Sequence, residues 1–207
     1  MRYDTEHKEQ TRGRVLQAAA RAIRADGPHR VSVAAVMAEA GLTHGGFYAH
    51  FASKDALVAA AIGQMFDEAA SRIQRETTDR SPAEGLAAYV DFYLSRKHRD
   101  ARGLGCPMSA LASDLPRLDD AARGAFADGM RRLTRILGEK LAALDATPAA
   151  VAVKKESAMD QRARSMIAEL VGALSLSRIE ADSGQSDRIL AASRLALKQR
   201  FGLETSK

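Results

Sequence analysis

Residues 32–54 read SVAAVMAEAGLTHGGFYAHFASK. Ser32 is a good N-cap, and Val33, Val36, Met37 and Ala40 form the apolar stripe of a helix that Gly41 ends. The turn is Gly41-Leu42-Thr43, after which Thr43 can cap a short third helix. Leu42 before the cap and Phe47 four residues after it are placed for a hydrophobic staple, and Phe51 extends the same buried face. A helix, a tight turn opened by glycine and a second helix with polar residues at its outset form the helix-turn-helix arrangement, whose second helix enters the major groove of DNA. Each polar residue then has a chemistry. The Thr43 hydroxyl reaches a phosphate at a helix N-terminus, and His44 can hydrogen-bond a base edge. Gly45 and Gly46 cost the helix about 1 kcal/mol each against alanine, a cost that close approach of the bare backbone to the bases would offset. Tyr48, His50 and Lys54 carry phosphate-reaching groups. Lys54 sits in the first turn of the next helix, where the dipole alone disfavours a cation and an external anion explains it.

Working outward, apolar residues recur at three- and four-residue spacings, and alternating β-branched runs are absent, so the chain reads as all-α. A first helix is expected over Thr11–Ala25, stopped by Asp26-Gly27-Pro28. Ser53 caps a rod carrying Leu57, Val58, Ala61, Ile62, Met65, Phe66 and Ala69 to about Arg75. Ser81-Pro82-Ala83-Glu84 is a capping box with proline in the first helical position. A polar connector, Arg99–Gly105, leads to Cys106-Pro107 and a short helix through Leu111. Long helices are expected over Leu118–Leu144, Pro148–Ala181 and Ser186–Phe201.

The segment resembles the DNA-binding domain of TetR-type (TetR/AcrR) transcriptional regulators. The residues that carry the resemblance are Ala38, Ala40-Gly41-Leu42-Thr43, Phe47-Tyr48, His50-Phe51, Ser53-Lys54 and Leu57. The resemblance implies an N-terminal three-helix helix-turn-helix domain, residues 8–68, and a larger helical domain, 69–207, that binds a small-molecule effector and forms a homodimer. The paired recognition helices would read a palindromic operator in double-stranded DNA. It also implies DNA contact for Ser32, Thr43, His44, Gly45, Gly46, Tyr48, His50 and Lys54. Ala34 stands where some relatives carry a base-reaching arginine, and Gly45-Gly46 replaces larger side chains. Direct readout is therefore expected to be thin, and phosphate contacts and DNA shape to dominate.

Elsewhere alternatives stay open. Met65, Phe66, Tyr89, Phe92, Tyr93, Met108 and Met130 are candidates for an effector pocket or for plain core. Ile167, Leu170, Val171, Leu174, Ile189 and Leu197 fit a monomer core or the family's intersubunit helical bundle. Cys106, after a basic connector, is either an electrophile- or redox-sensing thiol or a small buried hydrophobe.

Composition sets the outer bounds. The 207 residues carry 31 Lys+Arg against 26 Asp+Glu, a formal charge of +5. The excess is densest in residues 1–54, where Arg2, Lys8, Arg12, Arg14, Arg21, Arg24, Arg30 and Lys54 face Asp4, Glu6, Glu9, Asp26 and Glu39. A single cysteine excludes an intramolecular disulfide and any multi-cysteine metal site, and no metal or other cofactor is expected. The first ten residues lack an apolar core, and the longest apolar stretch, Ala56–Ile62, is too short to span a membrane. A cytoplasmic protein with no membrane partner is the expectation. No His/Glu metal spacing, glycine-rich phosphate loop or Ser/His/Asp set suggests an enzyme, and a Cys106–His98 pair would lack an orienting third group.

Overall fold

The computed structural model describes residues 2–145 and 156–203, with side chains described over 6–144 and 160–203. Among the described residues every regular element is helical: α1 (Arg2–Asp26), α2 (Val33–Glu39), α3 (Lys54–Thr77), α4 (Pro82–Tyr93), α5 (Arg96–Asp100), α6 (Pro107–Leu111), α7 (Asp120–Ala142), α8 (Glu156–Ile179) and α9 (Ser183–Phe201), with short 3-10 turns between them. No described helix is long and apolar enough to cross a membrane. The chain divides into two compact units. The first comprises residues up to Glu68 with Arg102–Gly129, and the second comprises Ala69–Ala101 with Met130 onward. Residues 102–129 therefore pack with the N-terminal residues, which a division of the chain into consecutive segments at 68/69 does not convey.

In the first unit, α1 buries Val15, Leu16, Ala18, Ala19, Ala20 and Ile23. It starts nine residues before the expected Thr11, because the polar residues ahead of it include good helix formers but no apolar stripe to reveal them. The Ser32 hydroxyl caps α2 by accepting from the Ala35 N–H at 3.3 Å. Gly41, at φ +74°, ends it: its N–H reaches the Ala38 carbonyl at 3.0 Å, and the Leu42 N–H reaches that of Met37 at 2.9 Å. This is a Schellman closure, for which glycine is the residue without a steric penalty. Ser53 caps α3 through the Ala56 N–H at 3.0 Å.

Arg24, one of the cations counted in residues 1–54, is buried. Its guanidinium reaches Glu68 at 2.6 Å and, at 3.5 Å each, the carbonyls of Met65 and Gly103, tying α1 to α3 and to the 102–104 turn. Phe66 packs edge-on to Phe126 with ring centroids 5.2 Å apart and lies directly against Gly129 of α7.

In the second unit the Ser81–Glu84 capping box forms as expected. Part of the expected connector is helical: α5 is capped by the Ser95 hydroxyl, which accepts from the His98 N–H at 3.1 Å, and Arg102–Leu104 forms a 3-10 turn. One turn of helix is too short to show a period, so its stability comes from outside. Arg178 donates to the carbonyls of His98 and Arg99 at 3.1 and 3.0 Å, and Arg99 donates to Ser186 and Asp187 at 2.8 and 2.9 Å. Asp182, read from sequence as part of a break, is the N-cap of α9, and Gly202, at φ +63°, closes its other end. The expected start of the preceding helix at Pro148 lies outside the described residues.

The Phe66–Gly129 contact yields a stability prediction. A Cβ at position 129 would overlap the root of the Phe66 ring, which rotation about χ2 leaves in place and which a χ1 change would have to drive into fully buried core. Gly129→Ala should therefore destabilise the fold by about 1–2 kcal/mol in chemical denaturation, despite alanine's better helix propensity. A Gly129→Ala variant at or above wild-type stability would contradict this packing.

Candidate DNA-binding face

The segment after the α2 turn, His44–Ala49, is a 3-10 helix of six residues. Two adjacent glycines are poor α-helix formers, and the tighter i→i+3 winding suits so short a piece. Its shape comes from Phe47 and Phe51, both buried, with ring centroids 5.8 Å apart and nearly parallel planes. The Phe47 carbonyl accepts both the His50 and Phe51 N–H groups at 2.9 and 3.0 Å, turning the chain toward α3.

This anchoring leaves a polar face outward. Thr43 occupies the N-cap position, but its hydroxyl makes no cap bond and is exposed. His44 and Gly45 are exposed as well. A Cβ at Gly45 would meet nothing within 4 Å, and one at Gly46 only the Met37 methyl at 3.7 Å, so packing does not demand glycine at either position. Tyr48 is 73% exposed, lying off the buried Phe47–Phe51 stripe while touching Phe47 edge-on at 5.2 Å between centroids. Ser32 is exposed, its oxygen used as the α2 cap and its proton left to donate. Lys54 has an acceptor inside the protein: its Nζ donates to the His29 carbonyl at 3.1 Å. That bond accounts for a cation in the first turn of α3 without an external anion, and its other two N–H bonds remain to donate.

His50 is half-buried beside Phe51, and its buried Nδ1 has no hydrogen-bond partner. Burial holds its pKa below the ordinary 6.5, and the nearby charges of Lys8 and Arg12 push in the same direction. The Arg12 guanidinium lies over the Phe51 ring at 4.9 Å. Lys8 and Arg12 entered the sequence reading only as a charge count. The one sequence signal that could have singled them out was their i, i+4 spacing, which is helical but carries no motif.

The other sequence candidates are distributed as follows. Met65, Phe66 and Met108 are buried in the first unit, where Phe66 is in packed core. Tyr89 and Tyr93 are buried in the second unit, with ring centroids 5.9 Å apart, while Phe92 is half-buried beneath Arg72 and Met130 is 42% exposed. A polar cleft of about 480 Å³ in the second unit is lined by other residues, among them Arg80, Glu84, Asp91 and Lys198. Ile167, Leu170, Leu174 and Leu197 are buried within the protomer itself, which already covers them. Val171 and Ile189 are partly accessible, and among the described residues the exposed large apolar side chains of α8 and α9 are Leu176, Ile179 and Leu195. Helical spacing marks an apolar stripe but not which body covers it, so the sequence reading missed Leu176 and Leu195. Cys106 is buried at the start of α6.

The His50 environment generates a pH prediction. A histidine with a depressed folded-state pKa contributes its full stability above about pH 6.5, and loses it as pH falls through the folded value. NMR titration of the ring should give a midpoint below 6.5, and Lys8→Gln with Arg12→Gln should raise it. A midpoint at or above 6.5 in the wild type would contradict the geometry.

Residues 15–61 match the model of the family described as bacterial regulatory proteins, tetR family. No curated protein sequence matches the chain. Among solved structures, the reduced form of Escherichia coli NemR is similar at a TM-score of 0.75 and 20% identity, covering 92% of this chain and 96% of that one. A TetR transcriptional regulator from Legionella pneumophila is similar at 0.73 and 20%, covering 90% and 95%. A TetR-family regulator from Agrobacterium tumefaciens is similar at 0.72 and 23%, covering 93% and 98%. These likenesses establish the fold, and the family match spans the buried stripe of α1, the turn after α2 and the exposed face just described. Residues 15–61 therefore carry the segment described by the tetR family of bacterial regulatory proteins, and the chain as a whole has the fold of the TetR-family regulators it is similar to.

Proposed function

We propose that this protein is a ligand-responsive transcriptional repressor, a cytoplasmic homodimer that binds a palindromic operator and is released by a small molecule. The observation that carries the DNA-binding part is the exposed row Thr43, His44, Gly45 and Tyr48 standing on a buried Phe47–Phe51 anchor. Such a row offers a hydroxyl, an imidazole, bare backbone and a phenol to a groove, with Ser32, Gly46, His50 and Lys54 at its margins. With no arginine or large amide at the groove-facing positions, base readout is thin and phosphate contacts contribute most of the affinity. In a dimer the two faces would meet successive major grooves about 34 Å apart. Leu176, Ile179 and Leu195 supply the exposed apolar surface on α8 and α9 for the partner, with Ile179 78% exposed. An effector held by residues 69–207 would favour one conformer over the other by its differential affinity, and the candidates for contact with it are Tyr89, Phe92, Tyr93 and Met130. The reading assigns the chain no catalytic role, in keeping with the regulators it resembles.

The test is selection of bound duplexes from a random-sequence pool, followed by affinity measurements over a salt series. A palindrome should be enriched, and log affinity should fall steeply with log salt. Lys54→Ala should weaken binding to all sequences alike and make the slope shallower by about 2, since a dimer loses the contact twice. Enrichment of no palindrome would favour a nonspecific DNA-coating protein, and affinity that stays flat with salt would overturn the phosphate-dominated mode.

A thiol-sensing repressor using Cys106 is the second reading, supported by similarity to a structure described as a reduced form. Against it stands burial, since only 7% of Cys106 is exposed and an oxidant or electrophile must wait for a local opening. The readings separate on Cys106→Ser: unchanged operator release by oxidants assigns the thiol to the core, and loss of that release assigns it to sensing.

A further inference from the structure

Apart from Arg14, which donates to the Thr11 hydroxyl at 3.4 Å, the described cations of α1 fall into two groups. In its C-terminal half, Arg21 pairs with Glu39 at 2.7 Å and Arg24 with Glu68 at 2.6 Å, so both charges are answered inside the protein. In its N-terminal half, Lys8 and Arg12 are exposed and neither is ion-paired among the described residues, although Glu9 lies three residues before Arg12 on the same helix. They are one turn apart and share a helix face. That face meets the end of the recognition segment, where Arg12 lies over the Phe51 ring and His50 immediately precedes Phe51. The fold thus brings two unpaired cations and an imidazole together beside the face assigned to DNA, a repulsive arrangement that an external anion would relieve.

We infer that Lys8, Arg12 and His50 form an additional phosphate-binding cluster, which extends the contact with duplex DNA from the recognition segment onto the N-terminal half of α1. The inference rests on the DNA-binding reading above. His50 has a defined part in it. Its Nδ1 is buried without an acceptor, so a proton there would be an unsatisfied buried donor, and the ring carries its proton on Nε2. Among the described residues Nε2 has no hydrogen-bond partner, and it can donate to a phosphate oxygen. Burial and the two cations hold the ring neutral near pH 7, so it acts as a hydrogen-bond donor while Lys8 and Arg12 supply the charge. Such contacts are independent of sequence and suit a regulator whose groove-facing residues are small.

The experiment uses the full chain and two duplexes of equal length, one enriched by the wild type from a random pool and one of mixed sequence. Lys8→Gln with Arg12→Gln should make the slope of log affinity against log salt shallower by about 4 on both duplexes, and Lys8→Gln alone by about 2, since a dimer loses each contact twice. Lys8 is exposed with no hydrogen-bonded partner, so the single variant keeps the test decisive if loss of Arg12 from the Phe51 ring disturbs folding. The charge-retaining pair Lys8→Arg and Arg12→Lys should keep the wild-type slope, as should Arg21→Gln, which removes a cation already paired. A wild type that binds the duplexes while Lys8→Gln and the double variant keep its slope would overturn this inference alone. A wild type that binds neither duplex would overturn the DNA-binding reading and this inference with it.

Discussion

A six-residue 3-10 turn that begins His44-Gly45-Gly46 cannot hold a shape in water by itself, and everything on the candidate DNA-binding face depends on the pair of aromatic rings that hold it. Phe47 and Phe51, four residues apart, are both buried and stack on one another. Burying two phenylalanine side chains contributes several kcal/mol, roughly 1.5–3 kcal/mol each, enough to offset the poor helix propensity of two glycines. Because the anchor is apolar and inward, no polar residue of the segment is consumed in holding it. Thr43, His44 and Tyr48 remain outward as a consequence.

The helix α1 supports that anchor from a second direction. Its middle supplies the apolar stripe of the first unit, its buried Arg24 reaches α3 and the 102–104 turn, and its N-terminal half carries Arg12 over Phe51. One helix therefore carries packing, a partly buried ion pair and unpaired charge along its length. A buried ion pair of this kind contributes little net stability compared with apolar packing, but leaving either partner alone is costly, so it fixes where α1 sits on α3.

Much of the helical framework was legible in the sequence because its signals are local. The Ser32 cap, the Gly41 stop, the Ser53 cap and the Ser81–Glu84 box each depend on residues within one turn of one another, and all four appear in the structure. The polar start of α1 was not legible, since a helix without an apolar stripe has no period to detect. Nor was α5, which is one turn long and is held by Arg178 from a helix some eighty residues later. The exposure of Thr43, His44, Gly45 and Tyr48 was legible, because Phe47 and Phe51 mark the inward side and Tyr48 falls off it. The partners of Lys54 and His50 were not, because they come from residues 29, 8 and 12.

The sequence by itself determined the all-α class, the helix-turn-helix and the resemblance to TetR-type regulators, since caps, periods and a motif of fixed spacing are properties of neighbouring residues. Only the tertiary structure decided which cations are answered within the protein. Arg21, Arg24 and Lys54 find carboxylates or a carbonyl there, and Lys8 and Arg12 find none. It also decided that Leu170, Leu174 and Leu197 are covered by their own chain while Leu176, Ile179 and Leu195 are not. The reason is the same in both cases: a charge or an apolar side chain has its meaning set by what faces it across space, and that partner is remote along the chain.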